Sequence, residues 1–148
     1  MAKAYASIDI ARNAVEVWQL IGGFNSLPDW LPYINASRLE EGGRVRHIRN
    51  LEGEEIVERL IAFDEEHRSY SYHILKAPFP QKDYLATLRV IDIADGRASR
   101  VEWFGQFEPV GVTDAEVTSL FKNIYEEGLA ALAALFAADQ QTVTHAPR

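Results

Sequence analysis

The stretch RHIRNLEGEEIVERL, residues 46–60, decides how the rest of the chain is read. Two runs of alternating residues flank Leu51-Glu52-Gly53, and a three-residue hairpin loop with glycine in the left-handed position pairs Asn50 with Glu54. Counting back from that turn, Ile48 opposes Ile56 and Arg46 opposes Glu58. Side chains on a strand alternate between faces, so Arg46 and Glu58 share the face that Ile48, Ile56 and Leu60 mark for burial. A buried charge has to be paired, and this register supplies the partner.

Working outward, the same alternation recurs. KAYASIDI (3–10) reads as a first strand, and further strands are predicted at about 34–40, 44–50, 54–63, 69–76, 83–93 and 98–108, each bounded by Gly, Asp or Pro signals. NAVEVWQLIGGF (13–24) has helical spacing and ends at Gly22-Gly23, and NSLPDWLPY (25–33) allows a short helix and a turn. Thr113 and Glu116 form a capping box that opens a long helix to about Ala138, followed by a tail over 139–148 that is expected to fray. The order describes one α+β domain over residues 1–138, an antiparallel sheet with the last helix laid against one face.

A second hairpin, IADGRA, turns at Asp95-Gly96 and pairs Ile93 with Ala98. Leu88 then opposes Trp103, and Arg89 opposes Glu102 as a solvated pair on the outer face. The inner face carries Tyr84, Ala86, Leu88, Val90, Val101, Trp103, Gly105 and Phe107, with Ala86 and Gly105 adjacent. The last helix shows a stripe of Val117, Leu120, Phe121, Ile124, Leu132 and Leu135 that is interrupted by Gly128. Small residues in both layers have two readings, close helix-to-sheet packing or an internal cavity of the kind that holds small ligands.

Composition narrows the function classes. Across 148 residues, 47% are hydrophobic and 25% charged, as in ordinary globular proteins. A formal charge of −7 without a basic stripe argues against nucleic acid, and the absence of cysteine removes thiol chemistry and fits a cytoplasmic setting. The N-terminal pattern predicts neither a signal peptide nor a membrane span. There is no nucleophile elbow, phosphate loop or dinucleotide fingerprint. His47, His67, His73 and His145 lack ligand spacing, with His47 and His73 on the outer face, so neither a metal nor another cofactor is expected.

The segments SIDIARNAVEVWQLIGGFNSLPDWLPYI, GGRVRHI, IVERLIAFDEEHRSYSYHI, DYLATLRVI, SRVEWFGQFEP and YEEGLAALAALF, in this order, resemble the polyketide cyclase/dehydrase-like branch of the SRPBCC superfamily, the START-like and birch-pollen-allergen-like proteins. The resemblance covers nearly all of residues 3–138. It implies a helix-grip fold, in which a seven-stranded curved sheet wraps around the C-terminal helix with a hydrophobic pocket between them. Relatives of this kind include lipid carriers, hormone receptors and aromatase/cyclases, so the resemblance implies no single activity. The short EEGGRV segment and the tight NLEGE turn replace the glycine-rich loop and the gate loop of better-understood relatives, and those devices do not carry over.

The expected ligand is a small hydrophobic or aromatic, partly oxygenated molecule. Its expected walls are Ile48, Ile56, Leu60, Tyr70, Ala86, Leu88, Trp103, Gly105, Phe107, Phe121, Ile124 and Gly128. KAPFPQKDY (76–84), the longest irregular connection, and SLPDWLPYI are expected to form the rim, with Phe79 and Tyr33 as lids and Trp30 either a third lid or a plug at the base of the core. Arg46 and Glu58 are either a self-satisfying internal salt bridge or the polar end of the pocket, with Arg46 binding a carboxylate or enolate oxygen and Glu58 accepting a proton. With Tyr72 and Tyr84 they are the candidate catalytic residues should the protein be a cyclase or dehydratase. Binding or carriage is the leading expectation and a ligand-free interaction role the third, in a monomer or homodimer.

Overall fold

The computed structural model describes residues 1–144, with side chains described through 138. The elements are β1 (Ala2–Ile10), α1 (Ala14–Ile21), α2 (Leu27–Trp30), β2 (Ile34–Glu40), β3 (Val45–Asn50), β4 (Glu55–Asp64), β5 (Ser69–Lys76), β6 (Gln81–Ile93), β7 (Ala98–Pro109) and α3 (Asp114–Thr144). The seven strands form one antiparallel sheet in the order β1-β7-β6-β5-β4-β3-β2, so the first strand closes onto the last.

Both hairpins adopt the registers that the sequence predicts. Asn50 N–H donates to the Glu54 carbonyl at 3.1 Å and Gly53 has φ 81°. The Asn50 side-chain oxygen accepts from the Glu52 and Glu54 amides and so locks the turn. Ile48 pairs with Ile56 and Arg46 with Glu58. At the other hairpin Ile93 pairs with Ala98 and Leu88 with Trp103. Thr113 and Glu116 exchange both hydrogen bonds of a capping box, each 3.1 Å long, at the start of α3.

The alanines of β1 determine where the helix lies. Ala2, Ala4 and Ala6 alternate inward and are buried, and side chains this small let α3 come close to β1 and β7. The helix thereby stands off from β3, β4 and β5. The buried ridge of α3 is Val117, Phe121, Tyr125, Leu129 and Leu132, a row at i, i+4 and i+3 spacing, whereas Leu135, expected in the stripe, is exposed.

Four further expectations change. Lys76 still belongs to β5 and Gln81 to β6, so the connection expected over 76–84 shrinks to residues 77–80; the strand absorbs its irregularity as a register shift between Lys82 and Leu85, with Asp83 at φ 53°. Glu102 does pair with Arg89, yet it is buried rather than solvated, because Tyr5 and Arg89 both donate to it at 2.5 Å. The helix continues to Thr144, so the tail expected over 139–148 begins inside it, and residues 145–148 lie outside the described residues. The glycines of the two layers are close-approach points and not openings. A Cβ on Gly105 would lie 2.6 Å from the Tyr125 hydroxyl, and one on Gly128 would lie 2.7 Å from both Leu31 and the Tyr33 hydroxyl.

Candidate functional site

A cavity of about 300 Å³ occupies the space between α3 and the inner face of β3–β5. Ile48, Ile56 and Ile74 line it from the sheet, Leu27, Leu31, Tyr33 and Ile34 from the α2–β2 segment, and Leu120, Phe121, Ile124 and Tyr125 from the helix. Its exposed border consists of Glu52 on the β3–β4 turn and Glu127 on α3, with half-buried Asn50 beside them. The mouth therefore lies between the hairpin tip and the middle of the helix.

The opposite end is polar and closed. Arg46 is 1% exposed and Glu58 6%. Nε and Nη2 of Arg46 both approach Oε1 of Glu58, at 2.8 and 2.7 Å. Nη1 donates to the Phe24 carbonyl at 2.9 Å and to the Tyr70 hydroxyl at 3.2 Å, while the Phe24 ring covers the guanidinium at 4.1 Å and Tyr72 flanks it at 4.9 Å. Burial works against the arginine's charge, but Tyr70, Glu58 and Tyr72 outweigh it and hold Arg46 protonated. Burial also pushes the Glu58 carboxyl up from its ordinary value, opposed by the charge and hydrogen bonds of Arg46. Only Oε1 is engaged; Oε2 has no protein hydrogen bond among the described residues.

Beside this pair runs a line of phenols. The Trp103 indole N–H donates to Tyr72 Oη at 3.0 Å, Tyr72 Oη lies 3.3 Å from Tyr84 Oη, and Tyr84 Oη lies 2.5 Å from Tyr125 Oη. Burial raises the pKa of all three tyrosines well above the ordinary phenol value, so they are neutral hydrogen-bonding groups at physiological pH. All three, together with Trp103, border the cavity.

Of the residues expected to form the site, Arg46, Glu58, Tyr72, Tyr84, Tyr33, Ile48, Ile56, Phe79, Trp103, Phe121 and Ile124 border the cavity. The others stand behind its wall. Trp30 is 2% exposed and packs on Trp103 with ring centroids 5.8 Å apart, which makes it part of the core and not a lid. Tyr33 is a fixed wall, since its hydroxyl donates to the Ile124 carbonyl at 2.8 Å. Leu60 lies one inward rung beyond Glu58, and Tyr70 lies behind Arg46, against Phe24. Ala86 and Leu88 are buried in the sheet opposite Gly105 and Trp103, Gly105 lies under Tyr125, Phe107 is stacked on Tyr84, and Gly128 is roofed by Tyr33, Leu31 and Trp103. Phe79 packs edge-on against Phe121 at 5.5 Å and is half-buried, which places it at the cavity's side.

Sequence reasoning missed Leu27, Leu31, Ile34, Asn50, Glu52, Ile74, Leu120, Tyr125 and Glu127 as lining residues. Tyr125 had a signal: it follows Phe121 at i+4 and shares its face. The outer histidines have polar partners, His47 the carboxylates of Glu40 and Glu55 and His73 the Tyr84 carbonyl. Among the described residues no three His, Cys, Asp or Glu side chains are grouped so as to hold a metal ion. No helix among them is long and apolar enough to cross a membrane.

A seven-stranded curved sheet closed on a C-terminal helix, with two short helices between β1 and β2 and a cavity under the helix, defines a START-like, helix-grip protein. The chain belongs to the family described as polyketide cyclase / dehydrase and lipid transport, whose model matches residues 1–137. It is similar to an uncharacterized protein from Bacillus thuringiensis, at 51% identity over 92% of this chain and 99% of that one, with a TM-score of 0.90. The protein XoxI from Bacillus cereus is equally similar, at 51% identity over 93% and 96%, with a TM-score of 0.91. A START superfamily protein from Mycobacterium smegmatis shares the fold alone, at 12% identity over 93% and 99% with a TM-score of 0.76.

Proposed function

We propose that the protein binds and carries a small, largely apolar ring compound bearing oxygen, held in the cavity between β3–β5 and α3. The observation that carries this reading is the cavity's division into an apolar body and one buried polar end, lined by Arg46, Glu58 and the linked phenols of Tyr72, Tyr84 and Tyr125. A concave apolar pocket with a few convergent polar groups is the usual form of a small-molecule site, and about 300 Å³ is at the small end of the range. That size suits one or two rings better than a two-chain lipid. The family's description, which joins lipid transport with polyketide chemistry, agrees with such a ligand. The presence of a cavity also speaks against a pure interaction module with a filled core.

A second reading is favoured by Glu58 itself. Its carboxylate has one oxygen free of protein partners, stands in a desolvated wall and neighbours neutral phenols. In a cyclase- or dehydratase-type reaction Glu58 would take a proton next to a carbonyl while a tyrosine hydroxyl bonds the carbonyl oxygen. Arg46 would act by holding Glu58. We place the protein in the cytoplasm as a monomer or homodimer without a nucleic-acid partner, a reading supported by the cysteine-free, acidic composition.

Native mass spectrometry of the purified protein tests the carrier reading, with a non-covalently retained small molecule as the expected result. Turnover of an aromatic β-keto mimic, lost in Glu58→Gln, would establish the second reading in its place.

A further inference from the structure

We infer that the polar end of the cavity recognises an un-ionised phenol or enol hydroxyl and rejects carboxylates. The inference rests on the cavity being a ligand site and specifies what that site takes.

It follows from counting hydrogen-bonding groups. Arg46 is the cation nearest to a ligand at this end, but its charge is matched by Glu58, two of its nitrogens are directed at Glu58 Oε1, and a third is held by Phe24 and Tyr70. Four of its five N–H hydrogens are thereby directed at protein oxygens, and only the second hydrogen on Nη2 is left. Glu58 Oε2, in contrast, is an acceptor without a hydrogen-bond donor among the described residues, so a second carboxylate here would meet another acceptor oxygen beside an ion pair that is already neutral. Tyr72, Tyr84 and Tyr125 bring three hydroxyl hydrogens to two O···O contacts, which leaves one hydrogen to donate whichever way the chain is oriented. The Trp103 N–H does not alter the count, since it occupies an acceptor lone pair of Tyr72. Beyond that Arg46 hydrogen, the cavity end therefore presents one free acceptor on Glu58 and one free donor on the tyrosine chain. A single hydroxyl on an otherwise apolar ring complements both, donating to Glu58 and accepting from a tyrosine. An ether supplies no donor hydrogen, and a carboxylate supplies none and adds charge.

The test is a calorimetric comparison, at neutral pH, of naphthalene, 2-naphthol, 2-methoxynaphthalene and 2-naphthoate binding to the wild-type protein. The expected order is 2-naphthol first, at least about tenfold tighter than naphthalene and 2-methoxynaphthalene, the lower end of what a hydrogen bond to a charged acceptor contributes, with 2-naphthoate last. In Glu58→Gln the Arg46 charge is released, and 2-naphthoate is expected to overtake 2-naphthol. If 2-naphthoate or 2-methoxynaphthalene binds the wild type as tightly as 2-naphthol, the hydroxyl selectivity is overturned while the cavity remains a ligand site. If none of the four binds, the ligand site itself is refuted. The wild-type ranking decides the matter even if Glu58→Gln does not fold.

Discussion

Arg46 and Glu58 face each other across β3 and β4 with two guanidinium nitrogens on one carboxylate oxygen, at 2.8 and 2.7 Å, and the second oxygen unshared. The asymmetry joins a structural role to a binding role in one pair. Oε1 satisfies the arginine and Oε2 remains for whatever enters the cavity.

Removing either partner leaves the other buried and unmatched. Arg46→Ala and Glu58→Ala are each expected to cost about 3–5 kcal/mol, read as a lowered urea midpoint. The double replacement Arg46→Met with Glu58→Leu should restore most of that loss, since an apolar pair of similar volume removes both charges together. A double variant that costs the sum of the two single losses would mean that the pair is not coupled.

Gly128 offers a contrast with helix propensity. Gly128→Ala ought to gain about 1 kcal/mol as a mid-helix substitution. The new Cβ would instead meet Tyr33, Leu31 and Trp103 at 2.7 to 2.9 Å, and overpacking of this kind costs about 1–3 kcal/mol. We expect a net fall in Tm, and a rise would show that Tyr33 yields freely.

The tyrosine chain predicts an order of effects. Tyr84→Phe removes the middle hydroxyl and leaves both Tyr72 and Tyr125 without that partner, whereas Tyr125→Phe removes only the end. Chemical denaturation should show the larger loss for Tyr84→Phe, about 1–3 kcal/mol against about 0.5–1.5 for Tyr125→Phe.

Alkaline pH acts on the same chain. The folded protein holds Tyr72, Tyr84 and Tyr125 above the ordinary value of 10.0, so the unfolded state loses these protons first. Their contribution to stability is full below about pH 10 and declines as pH rises from there toward the folded values. Ultraviolet titration of the six tyrosines should show the buried ones ionising only as the protein unfolds, and simultaneous ionisation of all six in the folded protein would contradict the packing.

Much of this was legible in the sequence because strand registers are local. NLEGE and ADG each determine a pairing within a few residues, and from those turns the meeting of Arg46 with Glu58 and of Leu88 with Trp103 follows by counting. The cavity's wall was less legible because it depends on where α3 crosses the sheet. Ala2, Ala4 and Ala6 draw the helix over β1, which opens space above β3–β5 and fills the region above Gly105 with Tyr125. Which of the two readings holds for Trp30 and for Gly128, cavity or close packing, depends on that crossing, as does the place of Glu127 at the mouth.

The most direct measurement is a ¹⁵N–¹H NMR titration of the protein with 2-naphthol. Occupation of the cavity predicts saturable shifts centred on the amides of Ile48, Ile56, Ile74, Phe121 and Ile124. Shifts confined to the outer face, around Tyr5 and Phe104, or no saturable shifts at all, would contradict it.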